Sequence, residues 1–330
     1  MSKTIQGMFM LKNLISGAVM CCGIAFTFSA IAQAYPTKPV RVLVPFVAAG
    51  GVDLVARALS DRLSDRLRQQ FVVDNRPGAG GRIAMETLAQ AAADGHTLAM
   101  ISGTTAASSN LHAKLSYDFA RDFAAITQVT EQPYIVLLNT AVSAKSVPEL
   151  ITLAKSKPGV LNYGSSGTGG MQHLAGTLLT QLTGTRMIHV PYKGGGQAVG
   201  ALISGEIQLG FLNPLGARPH IAAGRVRAIA VTSKKRSPAF PQLPAVAETV
   251  PGFEVNNWYG LIAPAKTPVT VIQFIHREIG EILKEEAVRA RLEKEGSDVV
   301  WSAPQVFRNY ILEEVKLWGK VIREAGIQAN

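Results

Sequence analysis

An α/β fold in two similar units is predicted by three observations. Short β-type runs alternate with longer amphipathic helical ones, a strand, small-residue turn and helix junction occurs twice, and a late strand leads back to the first unit. The first run, residues 40–44, is largely apolar and passes through Pro45-Phe46-Val47-Ala48-Ala49-Gly50-Gly51-Val52-Asp53 into a helix over 53–67. A strand over 71–74, the turn Asn75-Arg76-Pro77-Gly78-Ala79-Gly80-Gly81, a second helix and a strand over 97–101 follow. Such alternation argues for a mainly parallel sheet.

The second unit starts with a strand over 134–139 and a helix over 148–155. A strand over 160–164 then runs through Ser165-Ser166-Gly167-Thr168-Gly169-Gly170 into a helix with Leu174, Leu178 and Leu182 on one face, so the opening junction is repeated. Runs at 187–190, 208–212 and 226–232 complete the unit. The Pro-rich stretch 238–251 leads to a strand over 258–264 that returns to the first unit, and the mostly helical 269–325 is placed there too, with Ile272, Ile275, Ile279, Leu283, Val315 and Ile322 on its apolar side. The expected organisation is a signal peptide over 1–34, a discontinuous first domain over 35–133 and 258–330, and a second domain over 134–257, with two crossings at the hinge.

Lys3 and Lys12 flank a basic start, 14–31 carries no charge, and Ala32-Gln33-Ala34 is a small-x-small cleavage signal before Tyr35. The alternative, a retained membrane anchor, is opposed by Ser16, Gly17, Cys21, Cys22, Gly23 and Ser29 within the apolar stretch. Both cysteines lie in this leader, so the mature chain is expected to have no disulfide or thiol chemistry. Lipidation is disfavoured because Met20 and Cys21 precede them. With 47% apolar and 17% charged residues the chain is long enough for real cores, and its formal charge of +10 suits anionic partners. Its Lys and Arg lack the aromatic interleaving of a nucleic-acid platform, so no nucleic-acid partner is expected.

A helix entered through a small-residue turn presents unpartnered N–H groups at the positive end of its dipole and can receive an anion. Two such turns, one per unit, suit a clamshell closing on one carboxylate; glycines serving only tight turns remain the alternative. Asp53 could bind a ligand ammonium or cap its own helix. The six histidines show no metal-ligand spacing, and neither metal nor cofactor is expected. No G-x-S-x-G elbow occurs, which leaves Ser165 or Ser166, with His173 as base, as the only hydrolase scenario.

Several ordered motifs carry a resemblance over essentially the whole mature length. They include Tyr35-Pro36-Thr37-Lys38-Pro39-Val40-Arg41, Val44-Pro45-Phe46 with Gly50-Gly51 and Asp53, Val73-Asp74-Asn75-Arg76-Pro77-Gly78-Ala79-Gly80-Gly81, and Asp94-Gly95. Leu161-Asn162-Tyr163-Gly164-Ser165, His173-Leu174-Ala175-Gly176, His189-Val190-Pro191-Tyr192-Lys193-Gly194-Gly195, Ala230-Val231-Thr232-Ser233 and Trp318-Gly319-Lys320 follow. The chain resembles the periplasmic solute receptors of tripartite tricarboxylate transporters, the Bug receptors. The resemblance implies a type II periplasmic-binding-protein fold with a hinged cleft, and a monomer that binds a small carboxylate and presents it to membrane permease subunits without catalysis. The alternatives are a ligand sensor for a membrane signalling kinase and a secreted hydrolase.

Carried over by position, the resemblance implies ligand contacts from Phe46, Ala49, Gly50, Gly51 and Asp53, and from Ser102, Gly103 and Thr104. The second unit is expected to add Ser165, Ser166, Thr168, Gly169, His173 and Asn213. Two departures bear on specificity. Ala48-Ala49-Gly50 stands where the family commonly has Pro-Gly-Gly, implying a stiffer turn. Leu212 replaces a frequent Asp, which argues against a ligand ammonium if the position faces the cleft, and is otherwise a packing change.

Overall fold

The computed structural model describes residues 35–112, 114–294 and 296–328. The expected leader over 1–34 lies outside them. The elements from β1 onward belong to one compact unit that begins at Lys38.

The strand β1 (Val40–Val44) has buried, β-branched residues that suit the interior of a sheet, and it pairs in parallel with β2 (Phe71–Asn75) and β3 (Thr97–Ser102). Between β1 and β2 runs α1 (Gly51–Leu67), which buries Val52, Val55, Ala56, Leu59 and Leu63 at helical spacing and ends at Arg68 in the left-handed region. Helix α2 (Arg82–Ala89) follows β2, and α3 (Gly103–Ser108) follows β3. After the short α4 (Phe119–Asp122) comes β4 (Phe123–Pro133), an eleven-residue strand that the sequence pattern does not predict. Its Thr127, Gln128, Thr130, Glu131 and Gln132 dilute the apolar alternation, although the strand is largely buried. The polar burial is compensated locally: Thr127 Oγ1 donates to the Ser302 carbonyl (2.8 Å) and Ser302 Oγ accepts from the Gln128 N–H (3.1 Å).

Tyr134 alone separates β4 from β5 (Ile135–Asn139), which belongs to a second sheet. That sheet also contains β6 (Asn162–Ser165), β7 (Ile188–Pro191), β8 (Leu209–Leu212) and β9 (Val226–Val231), ordered β7-β6-β8-β5-β9. Helices α5 (Val147–Ser156), α6 (Met171–Thr183), α7 (Gly195–Ser204) and α8 (Pro214–Ala222) connect its strands. The chain returns through β10 (Asn256–Pro264) to the first sheet, whose order with the two-residue β11 (Asp298–Val299) is β11-β4-β10-β3-β1-β2. Both sheets are mixed. The expected parallel pairing is confined to β2-β1-β3 and β7-β6-β8, because β10 runs antiparallel to β3 and β4, and β5 antiparallel to β8 and β9. The returning strand and the strand that enters the second sheet impose these reversals.

After β10 come α9 (Val269–Leu283), α10 (Glu286–Lys294) and α11 (Pro304–Glu324). Placed with the first unit on sequence grounds, α11 is in fact shared. Phe307 and Ile311 pack with Leu43, Ile101 and Trp258, whereas Trp318, Val321 and Ile322 join the core of the second sheet with Leu174, Leu178 and Phe211. Glu314, between these sets, accepts hydrogen bonds from the indole N–H groups of Trp258 and Trp318 at 3.0 Å each.

The two chain crossings between the sheets are tied to each other. Thr232, fully buried, accepts from the Tyr134 N–H through its hydroxyl (2.7 Å) and donates that hydroxyl to the Val255 carbonyl (2.6 Å). Its own N–H donates to the Tyr134 carbonyl (2.9 Å), and the Val255 N–H donates to the Thr232 carbonyl (3.0 Å). One side chain therefore fixes the outgoing and returning strands at the same point. Thr232→Val retains the shape but leaves a buried donor and acceptor unpaired, and should lower stability by roughly 1–3 kcal/mol, read as a reduced midpoint of urea unfolding.

Candidate functional site

The first turn is built around Asp53. With Gly50 as an extended N-cap lacking a side chain, the third helical residue reaches back: Asp53 Oδ2 accepts from the Ala49 N–H (2.8 Å) and from Arg57 Nε (2.9 Å). Asp53 Oδ1 accepts from Asn75 Nδ2 (2.9 Å), which also donates to the Phe46 carbonyl (3.1 Å). Burial raises the affinity of this carboxyl for a proton, but the bonds from Arg57, Ala49 and Asn75 prevail and hold it below the ordinary value. At 1% exposure it is committed to the turn, which is the helix-capping alternative. Ala49 adopts φ +65°, a left-handed conformation natural for glycine and strained for alanine. At Gly51 an added Cβ would collide with the Tyr259 hydroxyl, so only glycine admits this approach to β10.

The second turn is held by neutral groups. Ser165, fully buried, donates to the Gly167 carbonyl (2.9 Å) and accepts from the Gly167 N–H (3.1 Å). His189 Nε2 lies 2.7 Å from the same hydroxyl, a hydrogen bond whose donor is set by the imidazole tautomer. His173 Nδ1 accepts from the Gly169 N–H (3.0 Å), and the two imidazoles stack 3.5 Å apart and 5° from parallel. Burial lowers the His173 pKa to about 4, and burial together with the neighbouring ring lowers His189 to about 3, so both are neutral near pH 7. The imidazole that touches Ser165 is thus His189 rather than His173. The serine is inaccessible and its hydroxyl is engaged by the Gly167 backbone and by His189, an arrangement that shapes the turn and offers no exposed nucleophile.

Two cavities border these turns, one of them reaching only the first. The first, about 590 Å³, is bordered by Ala49 and Gly51 where α1 begins, by Gly195 and Gly196 where α7 begins, and by Asn213 and Gly216 where α8 begins. Three helix N-termini thus meet at one space, and none of its lining residues is Asp, Glu, Lys or Arg. Leu54, Val199, Ile203, Leu212 and Leu215 supply apolar wall, so Leu212 does border the cleft while also packing in the second-sheet core. The second cavity, about 690 Å³, is bordered by Phe46, Thr104, Ser166, Thr168, Gly169 and Lys193, among others.

The sequence-derived residues therefore fall into four groups. Ala49, Gly51 and Asn213 border the first cavity, and Phe46, Thr104, Ser166, Thr168 and Gly169 the second. Gly50, the N-cap of α1, borders neither. Asp53, Ser102, Gly103, Ser165 and His173 are buried and border neither cavity. Ser102 donates its N–H to Thr105 Oγ1 (3.4 Å), and Gly103 lies against the Trp258 indole, where a Cβ would come within 3.0 Å of Nε1. The structure adds Gln132, Gln172, Leu215, His220 and Tyr259 to the first cavity. Gln132 was hidden with the strand that carries it. Gln172 sat in plain view just past the second turn, where its amide accepts from the Ser166 N–H (2.8 Å) and donates to the Phe211 carbonyl (2.8 Å). Among the described residues no cluster of His, Cys, Asp and Glu could hold a metal ion, and no helix is long and apolar enough to cross a membrane.

A family model described as the tripartite tricarboxylate transporter family receptor matches residues 55–327. Protein BugT of Bordetella pertussis is 33% identical over 324 residues, covering 97% of this chain and 99% of its own. Among solved structures, R. palustris Rpa4515 with adipate is 32% identical at a TM-score of 0.77, covering 89% of this chain and 99% of that one. MatC from Rhodopseudomonas palustris with bound malate is 31% identical at a TM-score of 0.74, covering 87% and 100% respectively.

The two turns differ in what would perturb them. Ala49→Gly should relieve left-handed strain of about 1–2 kcal/mol, offset partly by unfolded-state entropy, and give an equal or higher melting temperature. Because the folded-state pKa values of His173 and His189 lie below the unfolded value near 6.5, the unfolded chain takes up protons first as pH falls. Stability should be full above about pH 7 and decline toward pH 4, by roughly 2 kcal/mol per histidine between pH 7 and 5. Urea midpoints across this range should flatten in His189→Gln.

Proposed function

We propose, because the chain belongs to the tripartite tricarboxylate transporter receptor family, that it is an extracytoplasmic solute receptor which holds a small carboxylate between two lobes and delivers it to a membrane permease. The two sheets form the cores of the lobes, split at Tyr134 and at the segment from Thr232 to β10, and the leader over 1–34 is removed after Ala34 on export to the periplasm. The protein binds its ligand and does not turn it over.

The observation that carries this reading is the first cavity, where three helix N-termini meet and no charged side chain lines the wall. Backbone N–H groups at such termini attract an anion without a buried counter-ion. The proposed contacts are Ala49, Gly51 and Asn213 at this cavity, Phe46, Thr104, Ser166, Thr168 and Gly169 at the second, which Lys193 also borders, and the N-cap Gly50, whereas Asp53, Ser102, Gly103, Ser165 and His173 act by shaping the turns. Adipate and malate in related structures support a ligand among small organic acids. Leu212 on the wall favours an uncharged body over one bearing an ammonium group. Hydrogen bonds to a charged group contribute roughly 1.5–3 kcal/mol each. Two or three of them, less ordering and desolvation, correspond to micromolar affinity as an order of magnitude.

Titration calorimetry of the ligand-free protein against C4–C8 mono- and dicarboxylates tests the reading. At least one acid should bind stoichiometrically and raise the melting temperature, while uncharged analogues of the same length should not. Gly51→Ala, which forces Tyr259 away from the α1 terminus, should weaken that acid at least tenfold. Failure of every acid to bind would overturn the proposal.

A further inference from the structure

We infer that the first cavity receives, besides the carboxylate held at its helix N-termini, the far end of the ligand, and that it selects an acid with an apolar, uncharged body ending in a hydroxyl group. The inference rests on the carboxylate reading above and specifies its ligand class. Three residues that border this cavity each carry a buried polar atom with no hydrogen-bond partner among the described residues, Gln132 Oε1, Asn213 Oδ1 and His220 Nδ1, and Gln132 also borders a separate cavity with Ser233, Lys234 and Arg236. Gln132 is only 5% exposed and sits on β4, next to the crossing at Tyr134, so its orphaned acceptor has no ready access to bulk water. A buried polar atom left unpaired forfeits its hydration without return, and three on residues lining one cavity point to a ligand group that completes them.

The chemistry of these atoms narrows the partner. Two are amide oxygens and require a donor, which excludes a bare hydrocarbon end. A second carboxylate would set its oxygens against theirs. An ammonium could donate, but no Asp or Glu borders the cavity to balance its charge, and Leu212 and Leu215 would strip its hydration. A hydroxyl donates to one amide oxygen, accepts from a ring or amide N–H nearby, and carries no charge into the apolar wall of Leu54, Val199 and Ile203.

A matched six-carbon series tests this by calorimetry on ligand-free mature protein: 6-hydroxyhexanoate, hexanoate, adipate and 6-aminohexanoate. The hydroxy acid should bind at least tenfold more tightly than each of the others. In Gln132→Leu its advantage over hexanoate should fall to within about threefold, and His220→Phe gives the same comparison on α8 if the first variant does not fold. Binding of hexanoate or adipate equal to or tighter than the hydroxy acid would overturn the inference and leave the carboxylate reading standing. Equal weakening of all four acids in both variants would overturn the pocket assignment. No binding by any of the four, together with failure across the wider acid panel, would overturn both.

Discussion

The buried carboxylate of Asp53 is the constraint from which the cleft takes its form. It ties the Ala49 N–H, the Arg57 guanidinium and the Asn75 amide together, and through Asn75 it also holds the Phe46 carbonyl. Every position from Phe46 to Gly51 is thereby set relative to β2 and the body of α1. The strained φ of Ala49 persists because this network over-determines the turn. A carboxylate at a helix start would ordinarily repel an anion. Here it is 1% exposed and matched by Arg57 one turn along the helix, so its field at the cleft is damped while its capping role is kept.

The second turn reaches a similar shape without charge. A serine hydroxyl closes on the Gly167 backbone, an amide from Gln172 braces Ser166, and two stacked neutral imidazoles support the whole from below the surface. These are short-range bonds that depend on burial, and burial is also what keeps the imidazoles unprotonated. The two walls therefore respond differently to conditions. The first is held by a carboxylate whose proton affinity is lowered and survives mild acid, whereas the second loses its basis once the imidazoles charge.

Much of this was legible in the chain. Apolar runs such as Val40–Val44 and the two small-residue turns announced strands and helix starts because β-branched runs and helical spacing are local properties. The Asp53 cap was legible for the same reason, being a contact between residues four apart. What was not legible depends on partners distant in sequence. The strand β4 looks polar until Ser302 is seen satisfying its Thr127 and Gln128. His189 lies 24 residues from the serine it touches, a separation that local spacing does not bridge, whereas His173 is only eight residues away and does not touch it. Leu212 could be weighed as wall or core from sequence, and it is both, since a residue at the end of β8 packs behind the sheet and borders the cleft at once.

A cavity bordered by helix termini and free of Asp, Glu, Lys and Arg would suit the proposed role of a receptor that must release what it binds. A buried cation would hold a carboxylate strongly but would be left uncompensated on release, at a cost of about 3–5 kcal/mol, which would slow opening. Backbone N–H groups at a helix start face a milder exchange, since water can replace the ligand oxygen at each of them. The tie at Thr232 complements this. By joining both crossings at one buried hydroxyl, it restricts relative motion of the two sheets at the very point where the chain passes between them. On the proposed reading, affinity would be set by how well the ligand completes the cavity, at the orphaned Gln132 and along the Leu212 wall, and small changes in those residues would alter the acid selected while the turns remain unchanged.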